Sequence, residues 1–282
     1  MSPERAGWRD RISVSAISTF RLGLADDLAF WAAHDVRAAG VSVAKLEAHG
    51  WDDGVDRILA AHARGSWRVS NLIGLGPFAL AHPERWDAQR DRLMRSIDAA
   101  DRFGAACMVF TTGPATPLPW DEAADALEEA LTPVLGVARD RGVQFAIEHT
   151  NSLRVDVGFV HTLADAIDLA RRLDVGVCME INACWAERDL DVTIRDGIDV
   201  IRLVQVSDYK VGTLCTPARM VPGDGDIPIP RIVQTVLDAG YEGDFDLELV
   251  GPAIDDEGYE SAVPRALDAL DRILTASGRE PA

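Results

Sequence analysis

Positive charge is scarce in this 282-residue chain, with 28 Lys and Arg set against 46 Asp and Glu, a formal net charge of −18. A surface that negative repels phosphate backbones and anionic lipid heads, so nucleic acid and membrane surfaces are excluded as expected partners. An anionic small molecule stays open, because a metal ion or an Arg inverts the field inside a cleft. Lysine is almost missing: a Schiff-base mechanism would have only Lys45 and Lys210 to use. Cysteine is sparse too. Cys107, Cys178, Cys184 and Cys215 form no C-x-x-C pair, and the first ten residues are polar. That pattern points to a reduced, cytoplasmic protein whose cysteines are mostly packing. No apolar run reaches the roughly 18 residues of a membrane helix. A Gly-rich phosphate turn, the mark of many doubly wound open sheets, is missing after the first strand, where the chain reads Ser15-Ala-Ile-Ser-Thr-Phe20.

What is present is a regular rhythm. With 48% hydrophobic residues the chain can fill a large core. Short β-rich runs alternate with longer helical ones. The strands are expected at 12–18, 41–47, 67–73, 106–112, 143–149, 175–180, 200–206 and 245–250. Helices are expected at 26–36, 53–63, 83–103, 120–141, 161–173 and 189–197, then in a stretch ending near Gly240, and at 257–276. The tail after Ser277 reads as loose. Eight β-α units close a parallel barrel, and no break in composition divides them. The expected architecture is α/β, a single (β/α)8 TIM barrel spanning residues 1–282.

Alternation along a barrel strand sends every second side chain inward. In Phe145-Ala-Ile-Glu148 this aims Glu148 inward, and in Val177-Cys-Met-Glu180 it aims Glu180. In Leu203-Val-Gln-Val206 it aims Gln205, and in Phe245-Asp-Leu-Glu-Leu249 it aims Glu248. All four lie near the C-terminal strand ends, the face on which barrel active sites are built. Three carboxylates at a few Å repel strongly unless a cation lies between them. The expected ligand set is Glu148, Glu180, Gln205 and Glu248. Its donors are all oxygens and no His follows His161, which favours Mn2+ or Mg2+ over Zn2+.

These motifs, with Gly176-Val-Cys-Met-Glu180, Val204-Gln-Val-Ser-Asp208, Val221-Pro-Gly-Asp-Gly-Asp-Ile227 and Ala239-Gly-Tyr-Glu-Gly-Asp-Phe-Asp-Leu-Glu-Leu249, resemble the xylose isomerase-like sugar phosphate isomerase/epimerase superfamily. The resemblance runs along essentially the whole chain. It implies metal ligation at all four positions and a proton-shuttling role for Glu148 and Glu248. Two positions depart from the pattern: Glu180 stands where Asp is usual, and Gln205 where His is usual. Gln at the latter place is familiar in hydroxypyruvate isomerase and 3-dehydroshikimate dehydratase. A family His that contacts sugar hydroxyls is replaced by Ala183, which puts an ordinary hexose epimerase in doubt.

The resemblance also gives Arg219 as a substrate-binding residue. Further candidates are His149 as a loop acid/base or substrate contact, Asn182 as a substrate contact, Trp185 as a substrate-side pocket wall, and Lys45 as an inward-pointing residue of the second strand. Lys45 would reach the substrate or neutralise a core carboxylate. Asp208 reads as a supporting partner or a loop cap, and Thr112 and Asn71 as rim hydrogen-bonders.

The chemistry these residues imply begins with a divalent ion polarising a carbonyl beside a hydroxyl, so that a carboxylate can remove the α-proton and leave an enediolate. The expected function is a metal-dependent isomerase or epimerase of a small hydroxy-carbonyl compound, sugar-like or keto-acid-like. A leaving group β to the carbanion would make the same site a lyase, resembling 3-dehydroshikimate or inosose dehydratase. A barrel that binds a metabolite without catalysis is the third reading. Such barrels often associate, so a homo-oligomer is expected.

Overall fold

The alternating pattern is realised as eight parallel strands, each followed by helix, in a computed structural model that describes residues 7–65 and 67–279. The strands are β1 (Ile12–Ser15), β2 (Ala38–Ser42), β3 (Arg68–Ile73), β4 (Cys107–Thr111), β5 (Phe145–Glu148), β6 (Gly176–Glu180), β7 (Ile201–Val206) and β8 (Asp244–Leu247). Each pairs with the next, and β1 pairs with β8, which closes the barrel. Residues 1–6 and 280–282, which hold the polar start and most of the expected loose tail, lie outside the described residues. No helix among the described residues is long and apolar enough to cross a membrane.

Two faces of each strand do different work. Val14, Phe110, Phe145, Ile147, Val177, Met179, Val204, Val206, Phe245 and Leu247 point outward into the main hydrophobic core, where helix residues such as Leu127 and Leu131 meet them. Each such side chain, fully buried, contributes about 1.5–3 kcal/mol. Inside the barrel, Ile73, Cys107, Val109, Ala146, Cys178 and Leu203 form a smaller apolar plug. The opposite interior wall is small and polar. Ser13 and Ser70 share a hydrogen bond at 2.5 Å, Asn71 Nδ2 donates to Ser70 Oγ at 3.1 Å, and Asp246 is fully buried near them.

Strand ends are set by local hydroxyl caps. Ser15 Oγ accepts the Ile17 N–H at 3.2 Å and turns the chain into the 3-10 helix Ala16–Thr19, so β1 stops earlier than its β-rich run. Ser42 Oγ accepts the Lys45 N–H at 3.4 Å and opens the helix Val43–His49. This corrects the expected second strand. Ala38–Ser42 is the strand, and residues 43–47 are helical. The apolar positions Val43 and Leu46, three apart, bury one helical face.

Lys45 is corrected with it. Its ammonium does not point into the barrel. It donates to Asp27 Oδ2 at 2.7 Å and Oδ1 at 2.9 Å, and to the Ala16 and Thr19 carbonyls, both at 2.9 Å. The residue neutralises a buried carboxylate, one on the helix Leu24–Ala33 outside the site.

Candidate active site

At the C-terminal mouth of the barrel lies a cavity of about 530 Å3 lined by Glu148, Glu180, Glu248 and Arg219 among others. A larger groove of about 760 Å3 runs outside the barrel between the helices Leu24–Ala33 and Trp51–Arg64, and no buried acids converge there. At the mouth, one carboxylate oxygen from each of Glu148, Glu180 and Glu248 lies within 4.8 Å of the others. Glu148 ends β5, Glu180 ends β6, and Glu248 follows the last residue of β8, so three strand ends deliver them to one point.

Each acid is held differently. Glu180 is buried, and its backbone N–H donates to His149 Nε2 at 3.2 Å. Its Oε1 accepts the Asn182 N–H at 2.8 Å, and its Oε2 pairs with Arg219 Nη1. Arg219 Nη2 lies 2.9 Å from Glu248 Oε2, and Nη1 also donates to Ser207 Oγ at 3.2 Å. Glu148 makes no hydrogen bond through its carboxylate among the described residues and opens onto the cavity.

Arg219 owes its place to backbone pairing. Asp208 and Met220 exchange two hydrogen bonds of 2.9 Å, and the Arg219 N–H donates to the Val250 carbonyl at 3.0 Å. Gly251, at φ +127°, lies so close to this segment that a Cβ would sit 2.7 Å from the Pro217 carbonyl. Asp208 caps the loop, accepting N–H groups from Tyr209, Gly223 and Ile227 at 2.8, 2.8 and 3.0 Å.

The electrostatics are one-sided. Burial pushes Glu148 well above the usual carboxylate range, and the charges of Glu248 and Glu180 push it further. Burial lifts Glu180 to about 8, with Arg219 holding it down against Glu248. Burial disfavours the Arg219 charge, but Glu180, Glu248 and Glu148 outweigh it and hold the guanidinium above its ordinary range. Three acids face one Arg, so protons or a bound cation must balance the cluster.

Gln205 stands beside them. It is fully buried and paired in register with Glu180 across β6 and β7, yet neither Oε1 nor Nε2 has a hydrogen-bond partner among the described residues. An unsatisfied buried amide costs about 1–3 kcal/mol. An orphaned carbonyl oxygen level with a carboxylate, next to two more carboxylates, is a donor set that suits a divalent cation. The residues present therefore fit such an ion.

The other expected site residues divide. Asn182 lines the cavity and donates from Nδ2 to the Asp208 carbonyl at 3.1 Å. His149 does not line it. Burial lowers its pKa to about 3, its Nε2 accepts the Glu180 N–H, and it supports the strand instead of serving as a loop acid/base. Trp185 packs on the main core, half-buried, and is not part of the wall. Thr112 and Asn71 are buried rather than at the rim, and Thr112 Oγ1 accepts the Phe159 N–H at 3.1 Å.

Several wall residues escaped the sequence reading: Phe20, Thr111, Thr150, Asn151 and Arg154. The last three had a visible signal, a polar loop that directly follows the strand carrying Glu148.

Comparison with known proteins agrees with this architecture. The protein is similar to an inosose isomerase of Halalkalibacterium halodurans, 23% identical over 149 residues, which are 51% of this chain and 53% of that one. The alignment thus spans about half the length of that curated relative. Among solved structures, the IOLI protein with a bound zinc atom superposes at TM-score 0.80, with 15% identity over 95% of this chain and 99% of its own. The 3-keto-D-glucoside 4-epimerase of E. coli superposes at TM-score 0.73, with 17% identity over 94% and 99%. The family model described as xylose isomerase-like TIM barrel matches residues 28–273, most of the chain, and the protein belongs to that family.

Proposed function

We propose that this protein is a divalent-metal-dependent isomerase or epimerase acting on a small hydroxy-carbonyl compound. The observation that carries the reading is the convergence of Glu148, Glu180 and Glu248, with the orphaned amide of Gln205 beside them. Held by these four residues, Mn2+ or Mg2+ would polarise the substrate carbonyl and acidify the neighbouring C–H.

The side chains supply the rest. Glu148 opens onto the cavity and makes no hydrogen bond through its carboxylate among the described residues, which leaves it free to act as general base. It takes the α-proton as a carboxylate and becomes the carboxylic acid. Glu248, entering the cycle as the carboxylic acid, would give its proton to the opposite face and invert the carbon, and exchange with solvent would then return the proton on Glu148 to Glu248. Return by Glu148 to the adjacent carbon gives isomerisation instead. Arg219 holds Glu180 and Glu248 in position, and Asn182 offers a hydrogen bond to a substrate hydroxyl. The inosose isomerase relative supports a hydroxylated carbonyl compound as substrate.

Incubation of Mn2+-loaded protein with hydroxy-ketones in D2O tests the reading. Deuterium enters recovered substrate or product in the native protein. Exchange is lost in Glu148→Gln. Full turnover in both Glu148→Gln and Glu248→Gln overturns the two-carboxylate mechanism, and a new enone absorbance selects elimination over isomerisation.

A further inference from the structure

Arg154 stands on the cavity wall in the loop after β5, six residues beyond Glu148. Its Nε and Nη2 donate to Asp156 Oδ1 at 2.9 Å and Oδ2 at 3.0 Å. This bidentate grip fixes the plane of the guanidinium. Its Nη1 makes no hydrogen bond among the described residues, and its side chain is 34% exposed. The wall has one other cation, Arg219, and that one is already engaged by Glu180 and Glu248. Neutral partners for substrate hydroxyls are already present: Thr111, Thr150, Asn151 and Asn182. The apolar side of the wall is Ile17, Phe20 and Val157.

A guanidinium edge at the mouth of a protein of net charge −18 has a specific electrostatic consequence. The overall field repels anions, and a fixed local cation reverses it within the cleft. Hydroxyls gain little from such a group beyond what the Thr and Asn side chains offer. A carboxylate gains a charge-assisted hydrogen bond, about twice as strong. Asp156 already occupies Nε and Nη2, so only the Nη1 edge is left, room for one carboxylate.

We propose that the cavity selects a hydroxy-carbonyl substrate bearing one carboxylate, and that Arg154 is the specificity-determining residue that receives it. This rests on the cavity being the active site described above, and it narrows the substrate to hydroxy-keto acids over neutral keto-polyols.

Calorimetric titration with three matched pairs tests the selection without turnover: glycerate against glycerol, gluconate against glucitol, and quinate against myo-inositol. In each pair that binds, the acid should bind about 10–100-fold tighter than its neutral partner, the value of one hydrogen bond to a charged group. Arg154→Gln should remove that preference and leave the neutral partner's affinity unchanged. Arg154→Lys should restore part of it. Asp156→Asn, which takes away the competing carboxylate, should strengthen it.

No preference for the acid in any of the three pairs overturns the proposal. Equal weakening of acid and neutral partner in Arg154→Gln also overturns it. Glycerol 3-phosphate binding more tightly than glycerate overturns the single-charge assignment. The two readings fail separately. Acid preference without any solvent deuterium exchange removes the isomerase function and leaves the selectivity. Exchange without acid preference does the reverse.

Discussion

Two knots of buried charge in this barrel are built in opposite ways. Asp27 and Lys45 form a balanced pair. One anion meets one cation, the ammonium's remaining hydrogens reach two backbone carbonyls, and Thr19 Oγ1 donates to Asp27 Oδ1 at 2.6 Å. At the mouth, two carboxylates share one guanidinium, a third has no partner among the described residues, and Gln205 beside them has both polar atoms unpaired. A closed, neutral knot is what folding alone selects, since an unpaired buried charge costs several kcal/mol. An open knot with more acids than cations and with idle polar atoms costs stability and makes sense as a binding site. The imbalance, more than the presence of acids, marks where a ligand belongs.

The contrast is broken most forcefully by exchanging charge for amide at the mouth. Glu148→Gln and Glu248→Gln should each lower turnover by about 10^2–10^4-fold, the usual value of a general acid or base. Their melting temperatures should stay equal to or above that of the native protein, because each change relieves repulsion. In the balanced knot the same kind of change acts the other way. Lys45→Met should cost about 3–5 kcal/mol in urea unfolding by stranding Asp27, and Asp27→Leu combined with Lys45→Met should recover most of that. The double variant should keep native substrate affinity.

A pH comparison sharpens the distinction. Burial raises Asp27 from 3.8 to about 6, against the pull of Lys45. Between those values the folded chain holds a proton that the unfolded chain has released. This carboxyl's contribution to stability is therefore fully present below about pH 4 and is lost as pH rises through 6. The stability difference between native protein and Asp27→Asn should move by about 2–3 kcal/mol over that window, in favour of the Asn variant at the higher pH. The smallest effect is expected at Gln205. Gln205→Met removes two orphaned atoms in an apolar side chain of similar shape, so it should stabilise by about 1–3 kcal/mol. It should also weaken Mn2+ binding in titration of the protein alone. A destabilised variant with native Mn2+ affinity would mean that the amide is packing and nothing more.

Much of this was legible beforehand. The strand pattern near Glu148, Glu180, Gln205 and Glu248 is strict alternation, so inward and outward sides followed from Phe145, Met179, Val204 and Phe245 alone. The strand position of Lys45 was misread because Val41 and Val43 also alternate, while the deciding fact was a hydroxyl cap from Ser42 that starts a helix; its expected role of neutralising a core carboxylate holds, at Asp27. His149 and Trp185 were misplaced because position after a strand says which end of the barrel a residue occupies, not whether its side chain turns inward to the core. Arg154 lies in a polar loop that the sequence did mark, but loop conformation has no periodicity to say which of its side chains faces the cavity.

By itself, the order of residues determined the eight-fold rhythm, the closed parallel architecture and the inward aim of Glu148, Glu180, Gln205 and Glu248, since period-two burial is a local property that hydrophobicity enforces residue by residue. Only the tertiary structure decided that Arg219 would come between Glu180 and Glu248, that Lys45 would be used up on Asp27, and that Arg154 would face the cavity. Those contacts join residues distant in the chain, and their energies depend on distance and desolvation, quantities that exist only once the barrel has closed.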